Sequence, residues 1–131
     1  MVMKKNILIY DRTSESFSRY LFPRKSCEIL DVRYESINIY IFCITFLKSG
    51  IKNFVENYKK NFIEFVSPKI VFTAIDNNPA FYKLKNLYDK PFYICTQTGM
   101  RNHDFYKKSK KYIQKTATKL KADHIFFFGT N

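Results

Sequence analysis

The feature that most limits what this chain can fold into is a regular alternation of short apolar runs with longer amphipathic ones. Residues 6–10 (NILIY) form a brief apolar run ended by Asp11, and residues 27–32 (CEILDV), 69–75 (KIVFTAI), 91–96 (PFYICT) and 124–128 (HIFFF) repeat the pattern. Runs of this length, rich in β-branched and aromatic residues and bounded by polar ones, read as strands, with residues 6–10 as a buried first strand. Helical segments are expected between them. One spans residues 14–22, with Ser14 as N-cap, Phe17, Tyr20 and Leu21 inward, and Pro23 as the stop. Residues 37–48 are almost wholly apolar and long enough for a buried helix, with Ser36 as a plausible cap and Gly50 as the stop. In residues 52–66, Phe54, Val55, Tyr58, Phe62, Phe65 and Val66 recur at helical spacing. Asn78 and Pro79 open a helix that buries Phe81, Leu84, Leu87 and Tyr88. Residues 104–120 form a basic helix with Phe105, Tyr112, Ile113 and Leu120 inward.

Strands alternating with helices define a Rossmann-like α/β domain, a three-layer α/β/α arrangement around a mostly parallel five-stranded sheet. The 131 residues suit one domain, residues 1–131. The last expected strand ends three residues before Asn131, where doubly wound domains usually add a helix. This suggests the N-terminal half of a longer protein.

Several classes are disfavoured. The apolar run near Met1 is too short for a signal peptide, and the longest apolar stretch falls well below the roughly 20 residues needed to cross a bilayer. A soluble cytoplasmic location follows. Cys27, Cys43 and Cys95 are odd in number, form no CxxC pair and lie among apolar neighbours, which reads as buried free thiols. No His/Cys cluster has metal-ligand spacing, so no metal is expected. Neither GxGxxG nor GxxxxGK[ST] is present. Asp11-Arg12-Thr13 lacks the second Asp of a dehalogenase-type phosphatase. Asp76 lacks the acidic partners of a response-regulator receiver, and no Ser or Cys sits in a nucleophile elbow.

The net charge of +12 has two readings. One is an anionic partner: a nucleotide, a phospholipid surface or nucleic acid. The other is the Lys-, Asn- and Ile-rich composition of an AT-rich genome, in which lysine greatly outnumbers arginine. Nucleic-acid sites favour Arg, which weighs against that partner. The lysines of residues 107–121 either meet anionic lipid at the inner membrane or form a solvated helix face.

In open parallel sheets, ligands bind beyond the carboxyl ends of the strands. Four polar loops fall there: residues 11–14, 33–36, 76–78 and 97–101. Asp76, Asn77 and Asn78 make either a turn with an N-cap or a set of partners for sugar hydroxyls. Gln97, Gly99 and Arg101 combine close backbone approach with a group able to grip phosphate or carboxylate. Arg33 either pairs with Glu35 or faces the cleft. His103 borders the last loop and could act as a general base, whereas His124 reads as structural.

Four segments, ILIYDRTS, EILDVRYESINIY, VFTAIDNNPAFYKLK and FYICTQTGMR followed by Asp104 and Phe105, occur in this order over residues 5–130. Together they resemble a family of bacterial surface-carbohydrate biosynthesis proteins of O-antigen or capsule assembly, which is similar to GT-B glycosyltransferases. The resemblance implies an acceptor-side N-terminal domain, a carbohydrate acceptor, a sugar-nucleotide donor held by a second domain, and no cofactor. The positions carried over are Arg33, Glu35, Ser36, Asn38, Asp76, Asn77, Asn78, Gln97, Gly99 and Arg101. Asp76 or Glu35 would be the catalytic base, and Arg33, Ser36, Asn77, Asn78, Gln97, Gly99 and Arg101 would bind substrate. Tyr34 and Thr98 depart from the family pattern. The alternative is a non-catalytic Rossmann-like module that binds a nucleotide or a partner.

Overall fold

The computed structural model describes residues 2–33, 36–76, 78–97 and 122–126. The elements are β1 (Ile7–Tyr10), α1 (Glu15–Leu21), β2 (Cys27–Leu30), α2 (Ile39–Ser49), α3 (Phe54–Val66), β3 (Ile70–Thr73), α4 (Pro79–Leu87), β4 (Phe92–Thr96) and β5 (His124–Phe126). All strand pairings are parallel, in the order β2-β1-β3-β4-β5. The domain is the expected Rossmann-like α/β fold. The basic helix expected over residues 104–120 lies outside the described residues.

β1 is the pivot. It pairs with β2 on one side and β3 on the other, and all four of its residues are buried. The pleat sends alternate side chains to opposite faces. Leu8 and Tyr10 join Val71, Tyr93 and Cys95 in a core that includes Tyr58, Phe62, Ile63 and Val66 of α3 and Phe81 and Leu84 of α4. Ile7, Ile9 and Phe72 form the opposite core with Phe17 of α1 and with Phe22. From β1 the chain first moves out to β2, then crosses back to β3, so the strand order reverses between β1 and β3. That reversal is the switch point where such sheets open a crevice.

Local signals set several boundaries. Asn78 caps α4 by accepting from the Ala80 N–H at 3.0 Å, with Pro79 in the first turn, as its sequence predicts. Asn38, not Ser36, caps α2, accepting from the Ile41 N–H at 3.0 Å. β2 ends at Leu30 because Asp31 turns its carboxylate onto the Arg33 N–H two residues on, at 3.1 Å.

Three burial expectations are corrected. In α1, Tyr20 and Leu21 are exposed, and Ser18 is the helix's buried residue. In α3, Val55 and Phe65 are exposed while Ile63 is fully buried. α2 is apolar but not buried: only Ile41 and Thr45 face inward, because the helix packs on α3 outside the sheet layers. With it, Cys43 is exposed. All three cysteines are free, but only Cys95 is fully buried. Cys27 is half-buried, and burial pushes its thiol pKa up.

Candidate functional site

Adjacent strands β1 and β2 each end in an aspartate, followed closely by an arginine. Asp11-Arg12 follows β1, and Asp31-Val32-Arg33 follows β2. The parallel register sets Tyr10 beside Leu30, so the two tips are neighbours. Each arginine crosses to the other strand's aspartate. Arg12 Nε donates to Asp31 Oδ2 at 3.1 Å, and Arg33 Nε donates to Asp11 Oδ2 at 3.2 Å.

Further donors complete the network. The Thr13 N–H and hydroxyl donate to Asp11 Oδ1 at 3.0 and 2.9 Å. The Ser36 hydroxyl donates to Asp31 Oδ2 at 3.1 Å and lies 3.1 Å from Arg12 Nη2, from which it accepts. The Asp31 and Asp11 side chains are only 2% and 3% exposed, but those of Arg12 and Arg33 are 48% and 53% exposed. The acids form a buried floor and the guanidinium groups an open rim. Arg33 engages Asp11 through Nε, and its side chain is half-exposed.

The electrostatics follow from this layering. Burial alone would raise the Asp31 pKa. Hydrogen bonds from Arg12, the Arg33 N–H and Ser36, together with the Arg12 charge, outweigh burial and hold it below the usual carboxylate range. Asp31 is therefore an ionised anchor and a poor proton acceptor. Asp11 has its own constraint: φ is 74° and ψ 126°, a conformation non-glycine residues rarely adopt. Strain of this kind costs about 1–3 kcal/mol and persists where surrounding bonds over-determine it. Here the Leu30 carbonyl accepts from the Asp11 N–H, and the Asp11 carbonyl accepts from the Ser14 N–H.

A cavity of about 370 Å³ opens beside the edge strand β2, lined in part by Arg12, Glu15, Arg19, Asp31, Ser36 and Asn38. Its size suits a small ligand. It does not lie at the β1/β3 switch point, where the fold by itself would place one. There the fully buried Ser14 hydroxyl accepts from the Ala74 N–H at 3.0 Å and lies 3.4 Å from the Thr73 hydroxyl. Thr73 in turn accepts from the Ile75 N–H at 3.2 Å. These bonds join the tips of β1 and β3, so donors a ligand would use are engaged within the protein. The β1/β2 tips keep half-exposed guanidinium groups, and Arg12, Asp31 and Ser36 line the cavity while Arg33 does not, which makes the Arg12 side the stronger site.

The expected site residues divide accordingly. Arg33 and Ser36 are brought together with Asp11, Arg12 and Asp31. Asn38 caps α2 and lines the same cavity. Asp76 and Asn78 lie in the turn before α4: the Asp76 carbonyl accepts from the Tyr82 hydroxyl at 2.6 Å, and Asn78 is a helix cap. Gln97 is buried at the end of β4, where its N–H donates to the Phe126 carbonyl at 2.9 Å. Neither Asp76, Asn78 nor Gln97 lines the cavity. Glu35, Asn77, Gly99 and Arg101, with Tyr34, Thr98 and His103, lie outside the described residues. Asp31 was absent from the expected set, since it read as strand. Its signal was an aspartate followed within two residues by an arginine after each of two consecutive strands.

Comparison with protein-family models, with curated proteins and with solved structures finds no match.

Proposed function

We propose that the chain is the acceptor-side domain of a glycosyltransferase of bacterial surface-polysaccharide biosynthesis, and that it holds a hydroxyl-rich, anionic acceptor against Arg12 and Arg33. The observation that carries the reading is the pair of half-exposed guanidinium groups on a buried carboxylate floor, with Arg12, Asp31 and Ser36 lining the adjoining cavity. Planar guanidinium groups bind carboxylate or phosphate through paired N–H donors, and the Ser36 hydroxyl supplies a further contact for sugar hydroxyls. Asp11, Arg12, Asp31, Arg33 and Ser36 fall within two of the segments that carry the family resemblance.

Transfer needs a base that takes the acceptor hydroxyl's proton as its oxygen attacks the sugar of the nucleotide donor, releasing the nucleoside diphosphate. Asp11 and Asp31 are unsuited, because their oxygens already accept from arginine, threonine, serine and backbone donors. The role falls to Asp76 or Glu35. Arg101, with the Gly99 backbone, would face the donor phosphates or an anionic acceptor.

The same saturation favours a second reading, a module that binds an anionic nucleotide or partner without chemistry. One experiment separates the two: isothermal titration with acidic oligosaccharides and with sugar nucleotides, run beside a transfer assay. In either reading Arg12→Ala with Arg33→Ala weakens binding by about tenfold or more. Transfer that is lost with Asp76→Ala or Glu35→Gln supports the enzyme. Binding without transfer supports the module. Binding unchanged in the double-arginine variant sinks both.

A further inference from the structure

The most anomalous surface on the molecule is α2. Its sequence, IYIFCITFLKS, is apolar almost throughout, yet only Ile41 and Thr45 of it are buried. The inward face carries the core residue Ile41 and, beside it, Thr45, whose hydroxyl donates to the Ile41 carbonyl at 2.7 Å and accepts from Asn61 Nδ2 of α3 at 2.9 Å. The Tyr58 hydroxyl of α3 accepts from the Asn38 N–H at 3.0 Å, pinning the start of the helix. Ile39, Phe46 and Leu47 are exposed, flanked by Tyr40 and Phe42, whose rings lean on Phe65 and Phe54 of α3, and Ile51 continues the set beyond Gly50. Leu47 is 83% exposed and Ile51 81%. Scattered exposed apolar residues are ordinary, but a contiguous bulky set on one outer helix marks a docking surface.

Charge and shape select the occupant. Residues 36–55 contain no aspartate or glutamate, and Lys48 and Lys52 are exposed at the end of the apolar stretch. The whole chain carries +12. Like charge of that size opposes packing this face against a second copy, and it favours an anionic surface. α2 spans only 11 residues, about 16 Å, against a hydrocarbon core of about 30 Å, so it cannot span a bilayer. Packed chiefly on α3 among the described elements, it can lie along one, with its exposed aliphatic and aromatic side chains immersed and its lysines at the headgroups. We propose that α2 is a membrane-docking helix for anionic phospholipid bilayers. Because Ile37 and Asn38 at its start line the site cavity, docking sets that cavity beside the lipid surface.

The test is co-sedimentation of the chain with vesicles of phosphatidylcholine alone or mixed with phosphatidylglycerol, together with light scattering for oligomeric state. Phe46→Gln with Leu47→Gln removes apolar surface without changing charge. It is expected to lower partition onto mixed vesicles by about tenfold or more while leaving the melting temperature near wild type. Lys48→Gln with Lys52→Gln is expected to cost several-fold on mixed vesicles and little on phosphatidylcholine alone. Two results would overturn the proposal. One is undiminished partition of the Phe46/Leu47 variant, which would assign binding to general basicity. The other is a wild-type dimer that ignores vesicles and becomes monomeric in that variant, which would assign α2 to self-association.

Discussion

The two ends of the sheet hold acidic residues by opposite strategies. At the carboxyl ends of β1 and β2, Asp11 and Asp31 are buried and their arginines half-exposed, so the positive groups reach past the pairs they form. At the amino end of β4, Asp123 accepts from the Tyr93 N–H at 2.8 Å and from Lys85 Nζ, while its own N–H donates to the Tyr93 carbonyl at 2.9 Å. There both partners are about one-fifth exposed. Burial alone would raise the Asp123 pKa, but Lys85, the Tyr93 N–H and His124 together lower it. The amino-end cluster closes on itself and clamps the segment before β5 to β4. The carboxyl-end cluster leaves donors over. This difference separates a structural clamp from a binding rim.

Breaking the rim's floor should have the largest effect. Asp31→Ala strands the Ser36 hydroxyl, the Arg33 N–H and Arg12, and is expected to destabilise by about 2–3 kcal/mol. The figure lies below the 3–5 kcal/mol of a fully buried pair because Arg12 can rehydrate. Denaturant unfolding measures it.

Ser14→Ala comes next. It leaves the Ala74 N–H without its acceptor where β1 meets β3, an expected loss of about 1–3 kcal/mol by the same measurement. It also opens the switch point, so tighter nucleotide binding by this variant would move the site there.

Asp123→Ala sharpens the comparison from the other end. It should cost about 1–2 kcal/mol and leave ligand affinity unchanged, whereas Arg33→Ala should reverse that pattern. With Arg33 half-exposed, its stability loss should stay within about 1 kcal/mol while affinity falls.

The smallest effect is on pH dependence. Asp31 and Asp123 both have folded pKa values below the ordinary value of about 3.9. Folding therefore gains from their ionisation above that value, and the gain fades as pH falls through the lower folded values. Melting temperature followed from neutral pH into the acid range should drop less steeply in Asp31→Asn than in wild type. Equal slopes would remove Asp31 from the acid transition.

Much of the fold was legible because strands inside a parallel sheet are apolar almost throughout. ILIY and IVFT carry that signature directly, and FYICT does so with its first residue exposed. The cap of α4 was equally legible, since Asn-Pro acts locally. Burial within helices was less so. α1 and α2 contain more apolar residues than the sheet can cover, and composition cannot say which remain outside. Phe46 and Phe62 are alike in sequence terms, but one is half-exposed and the other lies in the core.

The site divides along the same line. The sequence by itself placed polar residues after each strand and put Arg33 and Ser36 among them, because strand ends are local events. Only the tertiary structure decided which loops meet. The order β2-β1-β3-β4-β5 puts the β2 tip beside β1, so Arg33 meets Asp11, 22 residues away, and Arg12 meets Asp31. It also sets Ser14 against Ala74, 60 residues on, which closes the crevice the strand order alone would have chosen. Ion pairs and hydrogen bonds act over about 3 Å, so pairing depends on strand neighbourhood, which long-range packing sets.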